Sequence, residues 1–187
     1  MKTFFFVAGL LLVAALPINA QHAQFGLKAG VNVASLDVDD GNDIGSKAGL
    51  YIGGLAHIHV TTHFAVQPEI VFSMQGGEEG SLKAKYNYIN VPVLLQYMTN
   101  NGFRLQTGPQ VGFLVSAENE SGNVEVDVKD QLNTVDFAWS FGASYITKSG
   151  FGVDARFNLG LSDINESSPP KVHNRVWQFG AFYQFRH

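Results

Sequence analysis

Residues 151–162 read FGVDARFNLGLS, an alternation with no break. Phe151, Val153, Ala155, Phe157, Leu159 and Leu161 fall on one side. Gly152, Asp154, Arg156, Asn158, Gly160 and Ser162 fall on the other. Period-2 alternation of this length is the mark of a β-strand with two unlike faces. In a soluble sandwich the Phe/Leu face is the core and Asp154 and Arg156 are wet. In a membrane barrel the arrangement is inverted. Which face points inward therefore decides what kind of protein this is.

Seven more segments share the rhythm: Phe25–Ser35, Ala48–Val60, Phe64–Gln75, Tyr86–Met98, Phe103–Ser116, Val135–Thr147 and Arg175–Arg186. Helix-type periodicity is scarce, and glycine and aromatic residues are plentiful, which together predict an all-β chain. The connections alternate in length. Thr61–His63, Thr99–Gly102 and Lys148–Gly150 are tight turns. Leu36–Lys47, Gly76–Lys85, Ala117–Thr134 and Asp163–Asn174 are longer and polar. In an up-and-down sheet this puts every short turn at one end and every long loop at the other, the asymmetry of transmembrane β-barrels.

The two faces favour the inverted arrangement. The polar face is mostly Gly, Ala, Ser, Gln and Asn, with few charges, whereas a solvated face would carry more Lys and Glu. Small polar side chains suit an eight-stranded interior, which is only wide enough for side chains to fill. The apolar face is nearly continuous and carries aromatics near strand ends, among them Phe25, Phe64, Tyr97, Phe103, Tyr145, Phe151, Trp177 and Tyr183. Such girdles anchor barrels at the membrane interfaces. Strands of about 10–12 residues, tilted, span a band of roughly 25 Å. The expected fold is thus an all-β, eight-stranded, antiparallel, up-and-down transmembrane barrel. A soluble barrel of lipocalin type, with the apolar face lining a ligand cavity, remains the alternative.

Export fits this fold. The segment MKTFFFVAGLLLVAALPINA (1–20) has Lys2, an apolar run, Pro17 and a terminal small residue, the pattern of a signal peptide cleaved after Ala20. The barrel domain is then 21–187. The chain has no cysteine, so neither a disulfide framework nor thiol chemistry is expected. Its net charge of −4 argues against nucleic-acid binding.

The ordered motifs resemble those of the PorT-like outer-membrane β-barrel family of Gram-negative bacteria. QFGLKAGVNVASL (24–36) is similar to that family's first strand and FAVQPEIVFSMQG (64–76) to its third, with a Pro-Glu pair. YNYINVPVLLQY (86–97) is similar to the fourth, FRLQTGPQVGFLVS (103–116) to the Gly-Pro fifth and FGVDARFNLGLSDI (151–164) to the seventh. The resemblance covers essentially the whole mature chain; Asn90 departs from it, standing where an acidic residue is expected. It implies an outer-membrane location with both termini periplasmic, and relatives tied to secretion and gliding machinery. Gln178, Gly180, Tyr183 and Phe185 look like the polar-x-Gly-x-x-aromatic-x-aromatic signal read by the barrel-assembly machinery, although Arg186 and His187 follow.

With the polar face inside, Lys28, Glu69, Arg104, Asp154, Arg156 and Arg186 point into the lumen, where charges must pair. They are expected to form an ion-pair network, with Asp136 or water completing the balance. His57 and His59, at i and i+2 on that face, could seat a metal, but no acid or cysteine completes the set, so hydrogen-bonding histidines are expected and no metal or cofactor. DVDDGNDIG (37–45) misplaces the glycine of a calcium loop, and Ala48 stands at the twelfth position. No Gly-x-Ser-x-Gly elbow is present, and no enzymatic activity is expected. Three functions stay open: a monomeric structural or interaction barrel contacting lipid and an envelope or secretion partner through its outer loops, a narrow small-solute channel, and a secreted binding barrel.

Overall fold

The computed structural model describes residues 23–39, 44–122, 124–165 and 170–185. The signal segment and Arg186 lie outside the described residues. Nine strands follow one another: β1 (Ala23–Val38), β2 (Ile44–His59), β3 (Phe64–Glu79), β4 (Leu82–Met98), β5 (Phe103–Ser121), β6 (Val124–Asp127), β7 (Val135–Ile146), β8 (Phe151–Gly160) and β9 (Val172–Gln184). Eight of them close a ring in the order β1-β2-β3-β4-β5-β7-β8-β9, with β9 paired antiparallel to β1. The sheet has no seam, so every backbone donor and acceptor in the wall has a neighbouring strand to meet, which is the condition for strands to exist in hydrocarbon. The short β6 adds to β5 outside the ring.

Along β8 the burial alternates as the sequence predicts. Gly152, Asp154, Arg156, Asn158 and Gly160 are buried inside, while Phe151 and Val153 are about half exposed outside. The same outward row runs through Phe25, Leu27 and Val31, Leu50 and Ile52, Ile70, Leu95, Leu105, Phe141 and Phe179. Eleven residues from Phe151 to Leu161, at about 3.3 Å per residue and a tilt of about 40°, give a band about 25 Å tall. Two short turns repeat one motif, Thr99-Asn-Asn-Gly-Phe103 and Thr147-Lys-Ser-Gly-Phe151. In each the Thr hydroxyl donates to the Phe carbonyl at 2.8 Å, and the glycine takes a φ near +90° that favours glycine. Pro68, Pro92 and Pro109 lie on three neighbouring strands. Pairing lapses beside them, between Pro68↔Val93 and Val71↔Asn90 and again between Pro92↔Gln110 and Leu95↔Thr107, because proline has no N–H to give the ladder.

The loop end differs from expectation. Of the presumed loop Gly76–Lys85 only Gly80 and Ser81 lie outside strand, and β1, β2, β4, β5 and β9 also run past the expected ends. There the alternation changes sign. Leu36, Val38, Ala84, Tyr86, Leu114 and Val172 point inward, while Asp37, Lys83, Lys85, Glu118 and Glu120 point outward or lie half exposed. With Tyr88, Ala117, Val128, Leu132 and Ile164 the inward residues form a single apolar cluster across the mouth. Above the band water lies outside the wall, so the fold reverts to the soluble pattern of apolar inside and polar outside.

Candidate functional site

The lumen is the one enclosed space the ring creates, and side chains fill it in layers. At mid-height β1, β3 and β8 each send charged groups to a common point. Arg156 grips Glu69 with both arms of its guanidinium, Nη1 to Oε2 at 2.9 Å and Nη2 to Oε1 at 2.8 Å. Lys28 Nζ lies 3.2 Å from Glu69 Oε2 and 3.3 Å from Asp154 Oδ2. Gln67 donates to Glu69 Oε1 at 2.7 Å, and the Tyr51 hydroxyl donates to Asp154 Oδ1 at 3.4 Å. Two cations and two anions thus balance, and all four are at least nine-tenths buried. Charges this dry hold together only as a set. Their mutual attraction offsets a desolvation cost of several kcal/mol per ion, and the bidentate fork adds direction.

Arg104 and Asp136, which the sequence grouped with these residues, stand apart from the quartet. Arg104 Nη2 donates to Gln184 Oε1 at 3.3 Å near the short-turn mouth. Asp136 accepts from Ser162 Oγ at 2.6 Å and Asn174 Nδ2 at 2.8 Å, under the apolar cluster. Arg186 is not among the described residues. Depth explains the sorting. Glu69 and Arg156 are each the sixth residue of their strand counted from the short-turn end, Asp154 is the fourth and Arg104 only the second. Counting from the tight turns, which are legible in sequence, separates the residues at mid-height from the one at the mouth.

Amide layers lie on either side. Above the quartet Gln178 donates to Asn32, and Asn32 to Ser73, both at 2.9 Å, while Ser140 donates to Asn158 at 2.7 Å. Below it Gln96 donates to Gln106 at 2.9 Å, and His57 Nδ1 lies 3.3 Å from Gln67 Oε1. His57 and His59 meet edge to face, with ring centroids 4.6 Å apart. Among the described residues no group of three or more His, Cys, Asp or Glu is placed to hold a metal. At the upper mouth His173 Nδ1 reaches the main-chain oxygen of Ser162 at 2.8 Å, while the Ser162 hydroxyl is spent on Asp136. This is a loop tie, without the serine–histidine contact a nucleophile needs. A hollow of about 340 Å³ opens at the short-turn mouth beside His59, Met98, Arg104 and the turn residues. Outside the band, Lys85 pairs with Glu120 at 2.7 Å and Glu125 at 2.8 Å, and its hydrogen bond holds the Glu125 carboxyl below the ordinary carboxylate range.

Tyr51 has a role the polar-face reading did not reveal. Its ring lies over the paired glycines Gly30 and Gly180, and a Cβ at either would run into it and into neighbouring backbone oxygens. An aromatic among small residues on the inner face, opposite two glycines, is the signal that could have found it. Gly180→Ala should therefore lower refolding stability by about 1–3 kcal/mol in the purified chain, where no assembly machinery takes part. An unchanged urea midpoint would leave Gly180 no packing role.

A closed eight-stranded ring, an apolar outer band and a side-chain-filled lumen together define a small transmembrane β-barrel. The chain belongs to the outer membrane protein beta-barrel domain family, whose model matches residues 19–166, and it is a small barrel of the bacterial outer membrane. Among solved structures it is similar to neisserial surface protein A (NspA; TM-score 0.64, 15% identity, covering 88% of this chain and 100% of that one). It is also similar to Ail, the attachment invasion locus protein of Yersinia pestis (TM-score 0.57, 16% identity, 88% and 100% coverage). At these identities the likeness is one of fold. Comparison with curated protein sequences finds no match.

Proposed function

We propose that this chain is a non-enzymatic structural or interaction protein of the outer membrane, exported by a signal peptide spanning 1–20 and inserted as a monomer with both termini periplasmic. Its loop end, with 122–134 between β5 and β7 as the longest connection, then faces the cell exterior and is where an envelope or secretion partner engages. The observation that carries this is the double closure of the lumen, by the Lys28–Glu69–Asp154–Arg156 quartet at mid-height and by the apolar cluster at the loop end. A body so filled offers solutes little passage and displays its loops on a rigid support. Within the family, the Pro-Glu, hydrophobic-Pro-hydrophobic and Gly-Pro motifs of β3, β4 and β5 support a PorT-like subgroup. Gln178, Gly180, Tyr183 and Phe185 on and just after β9 serve as the signal for the barrel-assembly machinery.

Outer-membrane fractionation with heat-modifiable gel migration, followed by planar-bilayer recording, tests the proposal. The expected result is a membrane-bound, heat-modifiable protein that adds no conductance steps. Regular steps abolished by filling the short-turn mouth would make the protein a channel instead, and recovery as a freely soluble protein would remove the membrane assignment.

A further inference from the structure

β6 is a strand with one side unused. It pairs with β5 through Ser121↔Val124, Glu120↔Glu125, Asn119↔Val126 and Glu118↔Asp127, and it ends the strand order, so among the described residues no strand meets its other edge. Backbone groups in an antiparallel pair alternate between facing the partner and facing away. The Val128 N–H bonds to the Ala117 carbonyl at 3.0 Å, which fixes the phase. Val124 and Val126 spend their backbone on β5, while Glu125 and Asp127 turn theirs to the open edge. All four side chains are exposed, Val124 by 62% and Val126 by 51%. The strand stands above the band, where water competes for these groups and a partner chain can reach them.

We propose that this edge accepts an extended, basic polypeptide segment by strand addition. The inference rests on the outer loops being the interaction surface. Main-chain hydrogen bonds to Glu125 and Asp127 supply the pairing, and the valine row takes alternate apolar side chains of the incoming strand. Charge selects the partner. Segment 117–134 holds Glu118, Glu120, Glu125, Asp127 and Asp130 against Lys129, and Lys85 is the basic neighbour shared by Glu120 and Glu125. A second copy of β6 would bring Glu125 and Asp127 against one another across the new pair, and like charges directly opposite oppose pairing. The same acidic side chains thus discourage self-association while attracting lysine or arginine.

The test uses the full folded barrel in lipid nanodiscs and two synthetic peptides of equal length, one alternating lysine with valine and one alternating glutamate with valine. Hydrogen exchange at the Glu125 and Asp127 amides reports pairing. The lysine peptide should protect both amides and the glutamate peptide neither. Glu125→Pro removes one edge donor without touching the β5 ladder and should weaken lysine-peptide binding about fivefold or more. Glu125→Lys with Asp127→Lys keeps the backbone intact and should invert the preference between the peptides, which keeps the test decisive if the proline variant folds poorly. Binding without amide protection would overturn strand addition, and protection by both peptides or β6–β6 cross-linked dimers would overturn the selection for a basic strand. Failure of the underlying reading looks different: envelope proteins captured by the intact barrel would be captured equally by one lacking 117–134.

Discussion

Glu69→Gln should cost the barrel about 3–5 kcal/mol, the range for removing one partner from a buried ion pair. The substitution keeps the shape but leaves Lys28 and Arg156 facing Asp154 alone, in a layer where none of the four groups is more than 7% exposed. The fork from Arg156 loses its charge assistance, and Gln67 loses a charged acceptor at 2.7 Å. Urea refolding into lipid vesicles, followed by gel mobility, reads the loss directly. Lys28→Met should cost less, because Glu69 keeps Arg156 and Asp154 keeps Tyr51. Replacing the whole quartet with apolar side chains of similar volume should recover most of the stability, since a buried ion cluster contributes little net against well-packed hydrocarbon. A Glu69→Gln midpoint within about 1 kcal/mol of the parent would mean that water reaches the quartet.

The second large effect separates neighbours in the chain. Arg156→Leu should cost about 3–5 kcal/mol for the same reason as Glu69→Gln, although leucine is the more apolar residue. Phe157→Leu, one position along, should cost only about 1 kcal/mol, roughly the worth of the ring contact with Trp177 at 4.8 Å. Phe157→Arg should cost about 2–4 kcal/mol in lipid, because Phe157 sits in the middle of the outward row Phe151–Leu161. Vesicle refolding measures all three. A chain in which Phe157→Leu is costlier than Arg156→Leu would have its faces reversed.

The middle of every ring strand was legible in the sequence because hydrocarbon outside and a narrow lumen inside impose one alternation over the whole band. The upper strand ends were not. At Leu36, Ala84 and Val172 the apolar residues change sides as the wall leaves the membrane, so a pattern read with fixed polarity sees loops there. β6 escaped notice for a related reason: its Val-Glu-Val-Asp is too short and too acidic to stand out from a polar connection. The inward orientation of the charges followed from period 2 together with the make-up of the two faces and the short–long rhythm of the connections. Their depth, with Arg104 at the mouth, follows from counting along each strand from the tight turns, whereas which of the mid-height groups meet depends on the stagger between strands, which alternation leaves free.

The apolar cluster over the loop end also bears on how the barrel stays inserted. Leu36, Tyr86, Leu114, Leu132 and Ile164 come from segments far apart in the chain and meet only above the band. In the proposed orientation, with both termini periplasmic, they can pack only once their strands have crossed, so the cluster would form late and add nothing to the early steps of insertion. Once formed, it works as a latch. Withdrawing any one hairpin would have to tear these side chains apart before the wall could open, which places the contribution on the unfolding barrier rather than on the folding rate. The protein's persistence in the membrane is in that sense secured from the far side.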